Sequence, residues 1–248
     1  MIVLRDVCKQ FGEQTVLDGV DFEVELGETV ALLGYSGVGK SVLLKHINGL
    51  LRPDMGEIVV DGQVLALLSR GALSELRHRI GYVFQNGALF DSEDVFQNIK
   101  LGITDEACAS DEGYCRHRVA ECLDLVNLPG DTVRKYPSEL SGGMRKRVGI
   151  ARAIAGQPRY LLYDEPTSGL DPVNADIIDS LVTKLQGELG VTSIMVTHDV
   201  RGAFRVANRI ALLHEGKIRA VGAPDEFQSS NDYAVKQFLE RDFGISRG

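Results

Sequence analysis

The sequence predicts an α/β fold: a largely parallel sheet, an antiparallel β unit at the N-terminus, and a helical insertion. Three observations carry that expectation. Residues 29–33 are a short apolar run, a glycine-rich loop follows at Gly34–Ser41, and Val42, Leu43, Leu44 and Ile47 then recur at helical spacing. Two further apolar runs, Tyr160–Tyr163 and Ser193–Val196, end in polar residues, as buried parallel strands do beside a ligand. Between about 86 and 157 the pattern lengthens to helical periods, with Val119, Leu123, Val126 and Leu128 on one side.

Taken in order, residues 2–24 alternate apolar and polar around Gly12-Glu13-Gln14, which predicts two antiparallel strands at roughly 2–7 and 15–24. Phe11 lies at that turn. The strand at 29–33 and the helix after Gly39 form the first βα unit, and Gly49, Pro53 and Gly56 punctuate its exit. Glu57–Gly62 reads as a strand ending in an Asp-Gly turn, residues 72–78 as a helix, and Ile80–Phe84 as a strand ending at Gln85. Asp105–Cys115 is a polar, small-residue connection. After the strand at 160–163 comes a helix over about 173–189, then the strand ending at Thr197-His198-Asp199, a helix near 200–207, a hairpin about Glu215-Gly216, and a short helix near 231–241. The expected organisation is one domain over 1–248: a core of about 1–85 and 158–221, a helical subdomain of about 86–157, and a C-terminal helix and tail of about 222–248.

The 248 residues are 44% hydrophobic and 25% charged, ordinary for a globular protein. With 27 basic against 35 acidic residues the net charge is −8, which argues against a broad nucleic-acid footprint. No apolar run reaches bilayer length, and MIVLRDVCKQF has charges where a signal peptide needs an apolar core, so a cytoplasmic protein is expected. Cys108, Cys115 and Cys122 are spaced by seven, a spacing that predicts one packed helix face; with Cys8 they form no C-x-x-C pair.

The chemistry centres on GYSGVGKS, which fits G-x-x-x-x-G-K-[ST] between a strand and a helix. Backbone N–H groups of such a loop turn inward on phosphate oxygens, and the following helix N-terminus favours the same anion. Gly34, Ser36, Gly37, Val38, Gly39, Lys40, Ser41 and Val42 are therefore the expected nucleotide-binding residues, with Lys40 on the β- and γ-phosphates and the Ser41 hydroxyl on Mg²⁺. Asp164 ends a buried strand and suits the metal's partner carboxylate. Glu165 beside it suits the orientation or deprotonation of an attacking water. Gln85 and His198 end two other strands on the same expected edge. Ser141-Gly142-Gly143 precedes the helical run Arg145–Ala155 and reads as a second anion-binding helix start.

These residues together resemble the ATPase subunit of ATP-binding cassette (ABC) transporters along nearly the whole chain. The matches are GYSGVGKS (34–41), Gln85, LSGGM (140–144) with RKRVGIARAI after it, YLLYDEPTSGLDP (160–172) and His198. The resemblance implies a RecA-like P-loop core carrying ATP and Mg²⁺, the metal held by Ser41, Gln85 and Asp164. Glu165, His198 and Gln85 would be catalytic, and Phe11 would stack on adenine. It further implies a head-to-tail homodimer, in which Ser141, Gly142 and Gly143 of one copy reach the γ-phosphate held by the other. Gly169-Leu170-Asp171 would join the two sites. Met144 stands where the family's commonest signature has Gln, and its thioether cannot hydrogen-bond a ribose as that Gln does. LSGGM with GYVFQNGALFDSEDVFQNI (81–99) looks most like the Mla-type phospholipid-trafficking branch that serves MCE-domain systems. That branch implies an integral membrane permease and an MCE-domain lipid-binding protein as partners, with the chain peripheral on the cytoplasmic face of the inner membrane. Ala88, Leu89, Phe90 and Phe96 would meet the permease. A cassette for another substrate, such as an amino-acid importer, a non-transport cluster-assembly ATPase and a nucleotide-binding regulator without turnover are the alternatives at this stage.

Overall fold

The computed structural model describes residues 1–103, 108 and 111–243. In chain order, β1 (Ile2–Phe11) and β2 (Gln14–Val24) precede β3 (Thr29–Leu33) and α1 (Lys40–Ile47). Next come β4 (Met55–Val60), β5 (Gln63–Val64), α2 (Arg70–His78), β6 (Ile80–Val83), α3 (Val95–Lys100), α4 (Glu112–Leu125) and α5 (Gly142–Ala155). The chain ends through β7 (Tyr160–Asp164), α6 (Pro172–Leu189), β8 (Thr192–Val196), α7 (Val200–Val206), β9 (Arg209–His214), β10 (Lys217–Gly222), α8 (Pro224–Gln228) and α9 (Tyr233–Phe243). Contacts divide it into two compact units, Met1–Arg77 with Thr192–Gly248, and His78–Val191.

The first unit holds two sheets. One is antiparallel, in the order β2-β1-β4-β5. In the other, β3 runs parallel to both β8 and β9, and β10 closes the edge antiparallel to β9. β3 and β8 are buried at every residue, which is why Thr29-Val30-Ala31-Leu32-Leu33 reads as an unbroken apolar run rather than an alternation. β10 is the edge strand of that sheet and alternates exposed and half-buried residues. β1 runs on to Phe11, four residues past the expected end at about 7. It pairs on both sides and absorbs a bulge at Asp6, where φ is 48° and the backbone lies against Gly56.

In the second unit β6 and β7 pair in parallel, and α3, α4 and α5 pack on one another around Val95, Ile99, Val119, Leu123, Val148 and Ile150. Side chains cap the helix starts: Asp94 accepts from Gln97 N at 2.8 Å, Asp111 from Gly113 N at 2.8 Å, and Asp171 from Asn174 N at 3.0 Å. The Asp111 cap bears on the cysteines. Because α4 starts at Glu112, only Cys115 and Cys122 share it; Cys108 lies ahead of the cap and is joined to Cys115 as a disulfide. The expectation of three cysteines on one helix face is corrected accordingly. Of the connection expected over 105–115, residues 105–107, 109 and 110 lie outside the described residues. Among the described residues, no helix is long and apolar enough to cross a membrane.

Candidate functional site

The first unit builds the phosphate loop. β3 ends at Leu33, and Gly34 enters the loop at φ 157°, where a Cβ would stand 2.5 Å from the Leu213 carbonyl. Gly39 caps α1 at φ 109°, and a Cβ there would meet Val16 Cγ1 at 2.8 Å. Any other residue at either position would push the loop off β9 or off β2. Lys40 is 5% exposed, and its ammonium donates to the carbonyls of Gly34 at 2.7 Å and Tyr35 at 3.1 Å. A loop bent by αL glycines, ending in a helix N-terminus, with a buried ammonium inside it, has the charge and shape of a polyphosphate cradle. Ser36 and Gly37 are exposed on it, while Val38 and Val42 are half-buried and anchor its two ends.

Register places His198 beside this loop. Leu32 pairs with Val196 in the parallel β3–β8 ladder, and Thr197 N donates to Leu32 O at 3.2 Å. Gly34 and His198 are each two residues beyond that pair, and His198 is exposed. Phe11 ends β1 opposite Gln14, on the hairpin whose Val16 and Leu17 touch Gly39. Its ring is 45% exposed and lies 5.4 Å from the Lys9 ammonium. Both features suit a stacking face.

The second unit assembles the acidic residues. Val83 pairs with Tyr163 in the β6–β7 ladder, so Gln85 and Glu165 each follow two residues later and are register neighbours. Asp164 is 9% exposed, and its Oδ2 accepts from the Tyr82 hydroxyl at 2.9 Å. Burial, then the Asp164 charge, push the Tyr82 phenol far up, so it stays protonated and keeps donating. Glu165 sits at φ 50°, a backbone state that costs an L-residue on the order of 1–3 kcal/mol. Its carbonyl accepts from Ser168 N at 3.2 Å and from Lys146 Nζ at 3.3 Å. Lys146 is buried; desolvation lowers its pKa and the Glu165 charge works against that. Gln85 Nε2 donates to Ser168 Oγ at 3.3 Å. Among the described residues, no group of three or more His, Cys, Asp or Glu side chains forms a metal cage. Isolated carboxylate, hydroxyl and amide ligands suit Mg²⁺, which takes one or two protein ligands and completes its shell with water and phosphate.

The Ser141-Gly142-Gly143 turn opens α5. Ser141 Oγ caps the helix by accepting from Met144 N at 3.3 Å; Ser141 and Gly142 are exposed, and Gly143 is buried against the Asn174 amide. No side chain fits at Gly143 beside Asn174, which bonds Asp171 through Nδ2 at 2.6 Å. The loop holding Asp171 is thereby tied to the Ser-Gly-Gly turn.

Sequence reasoning missed Tyr82, Lys146 and Asn174. Tyr82 alternates with Gly81 and Val83 as any strand residue would, and Lys146 is one of three consecutive basic residues, where nothing marks the buried one. The segment after Gln85 also proved more braced than its composition suggests. Arg152 donates to the carbonyls of Ala88 at 2.7 Å and Gly87 at 2.8 Å, and buried Asn98 bonds Phe90 through both its N–H and C=O. Phe90 stays 56% exposed, while Leu89 and Phe96 are half-buried. Phe96 lines a groove of about 460 Å³ with Asp94, Arg116, Leu123, Val133 and Arg134.

Comparison with known proteins places these features in a family. Residues 17–168 match the model of a family described as ABC transporter. The chain is 38% identical over 240 residues to the intermembrane phospholipid transport system ATP-binding protein MlaF of Haemophilus influenzae, covering 97% of this chain and 90% of that protein. It is 43% identical over 231 residues to the sulfate/thiosulfate import ATP-binding protein CysA of Bradyrhizobium diazoefficiens, covering 92% of this chain but only 65% of the relative's length. Among solved structures, the ATP-binding cassette MJ0796, captured as a dimer in a post-hydrolysis state bound to ADP and Pi, superposes with a TM-score of 0.80 at 33% identity, over 90% of this chain and 99% of that one. The fold expected from sequence is the fold of that cassette.

Proposed function

The chain belongs to the ABC transporter ATPase family, and from that premise we propose that it is the ATP-hydrolysing subunit of a transporter. The observation that carries the reading is Glu165, held at φ 50° after a buried strand, with Asp164 before it and Gln85 as its register neighbour. In this reading Lys40 exchanges its carbonyl partners for the β- and γ-phosphates, and the N–H groups of Gly37, Gly39, Lys40 and Ser41 face the remaining oxygens. Phe11 takes adenine. Ser41, Gln85 and Asp164 are the residues this reading assigns to Mg²⁺, which would supply positive charge beside the phosphates. Glu165 accepts a proton from water, and His198 donates to the charge that develops on the γ-phosphate. Ser141, Gly142 and Gly143 serve the phosphate bound by a second copy, so the working unit is a head-to-tail homodimer.

Glu165→Gln should retain ATP binding and release phosphate at least about tenfold more slowly, a barrier change of roughly 1.4 kcal/mol or more. Unimpaired phosphate release by that variant would remove Glu165 from catalysis. Absence of release from the wild-type chain would favour a regulator without turnover.

For cargo we infer phospholipid trafficking, with a permease and an MCE-domain protein as partners on the cytoplasmic face of the inner membrane. Support comes from LSGGM, from GYVFQNGALFDSEDVFQNI, and from the match to MlaF, which spans 90% of that relative. The permease contact is assigned to Ala88, Leu89, Phe90 and the Phe96 groove. A sulfate-type importer is the second reading, favoured by the 43% identity to CysA. Purification from detergent-solubilised membranes separates them. Recovery of a permease with bound phospholipid supports the first, recovery with a sulfate-binding protein supports the second, and recovery of soluble proteins alone sinks both.

A further inference from the structure

The C-terminal helix α9 is amphipathic, and the first unit uses its apolar face. Ala234, Val235 and Phe238 are buried, Asp232 caps the helix by accepting from Ala234 N at 2.8 Å, and Arg219 reaches the same carboxylate at 3.5 Å. What this face touches is the entrance of the phosphate loop. The Phe238 ring meets the Tyr35 ring edge-on at 5.1 Å between centroids, and the Arg241 guanidinium lies 5.3 Å from the same ring. His214, at the end of β9, also meets the Tyr35 ring edge-on, at 6.2 Å between centroids. Tyr35 is the second residue of GYSGVGKS. Its side chain turns toward α9, while its carbonyl holds the Lys40 ammonium at 3.1 Å and accepts from Val38 N at 3.4 Å.

We propose that α9 is a clamp on the phosphate loop, with Tyr35 and Phe238 as positioning residues that act on ATP through Lys40 and the loop backbone. The inference rests on the ATP-binding reading above. Its logic is preorganisation. A loop bent through positive-φ glycines has many conformations to lose, and an aromatic contact that pins its second residue lowers the entropy lost on binding. Once phosphates bind, they hold the loop themselves. Losing the clamp therefore weakens binding and leaves the chemical step almost unchanged. The α9 residues that the Tyr35 ring meets lie more than 200 positions further along the chain, so the contact is made by the fold and not by local sequence.

The test is a double-mutant cycle on the full chain, read by fluorescent ATP-analogue binding and by kcat at saturating ATP. Tyr35→Ala and Phe238→Ala should each raise Kd about three- to tenfold, the size of one edge-to-face aromatic pair. The double variant should be no weaker than the weaker single, and kcat should stay within about twofold. Tyr35→Phe keeps the ring and should keep the wild-type Kd. Tyr233→Ala, on the same helix but 77% exposed, should change nothing. Tyr35 is a half-buried loop residue, so its alanine variant reports even if Phe238→Ala folds poorly. Unchanged Kd in Tyr35→Ala, additive effects in the double variant, or a loss confined to kcat would each overturn the clamp. If the wild-type chain fails to bind the analogue, or Lys40→Ala binds it undiminished, the ATP reading falls instead.

Discussion

At the scale of single residues, Lys146 meets the backbone of Glu165, whose φ is 50°. A strained backbone at the end of a buried strand persists only when its surroundings hold it. Here Ser168 N and the Lys146 ammonium both grip the Glu165 carbonyl. Lys146→Met keeps the buried stem and removes the donor, so it should lower kcat severalfold while leaving the Kd for ATP unchanged; a raised Kd with normal kcat would contradict this role. His46 on α1 offers a second residue-scale test. Burial pushes its imidazole below 6.5, while the Val42 carbonyl and Asp54 pull it up and Lys9 pushes it down. A depressed folded pKa means the fold prefers the neutral ring. The stability this adds is present above about 6.5 and is lost as pH falls through the folded value. Between about pH 7.5 and 5.5 the wild-type Tm should fall more steeply than that of His46→Gln, and parallel slopes would rule the effect out. Residues such as Lys40 and Asp164 were legible in the sequence because motif and spacing confine them. Tyr82 and Lys146 were not, because burial of a polar side chain depends on a partner far along the chain and leaves no periodic trace.

At the scale of elements, the parallel strands could be read directly, since a strand buried on both faces shows as an unbroken apolar run. β1 outruns its sequence pattern because the bulge at Asp6 interrupts the alternation that marks a strand. The segment after Gln85 shows the reverse failure. Composition gave no sign that Arg152, ten residues into α5, braces Gly87 and Ala88. These charge-assisted bonds join the assigned permease contact to the helix whose N-terminus carries Ser141. Desolvation lowers the Arg152 pKa, so removing the side chain frees two carbonyls rather than a comfortable surface charge. Arg152→Ala should destabilise the protein by about 2 kcal/mol in urea unfolding. It should also uncouple ATPase rate from the presence of the permease. Full stability and full stimulation in that variant would show that the brace is incidental.

For the whole molecule, the phosphate loop is proposed to be half of a site. The loop, Lys40 and His198 of one copy are proposed to work with Ser141, Gly142 and Gly143 of another, and the isolated monomer to bind ATP yet turn it over slowly. The fold is legible in the motifs and periodicity, whereas the pairing of copies is reached through the family resemblance alone, because it depends on two surfaces and leaves no periodic trace in one chain. The most direct measurement mixes two defective variants. Lys40→Ala lacks a working phosphate loop, and Ser141→Arg lacks a working signature turn, so each should release phosphate slowly by itself. Mixed, they form heterodimers with one intact composite site, and the mixture should exceed either variant alone by at least about tenfold. A mixture no faster than the average of the two would contradict the shared site and return catalysis to the single chain.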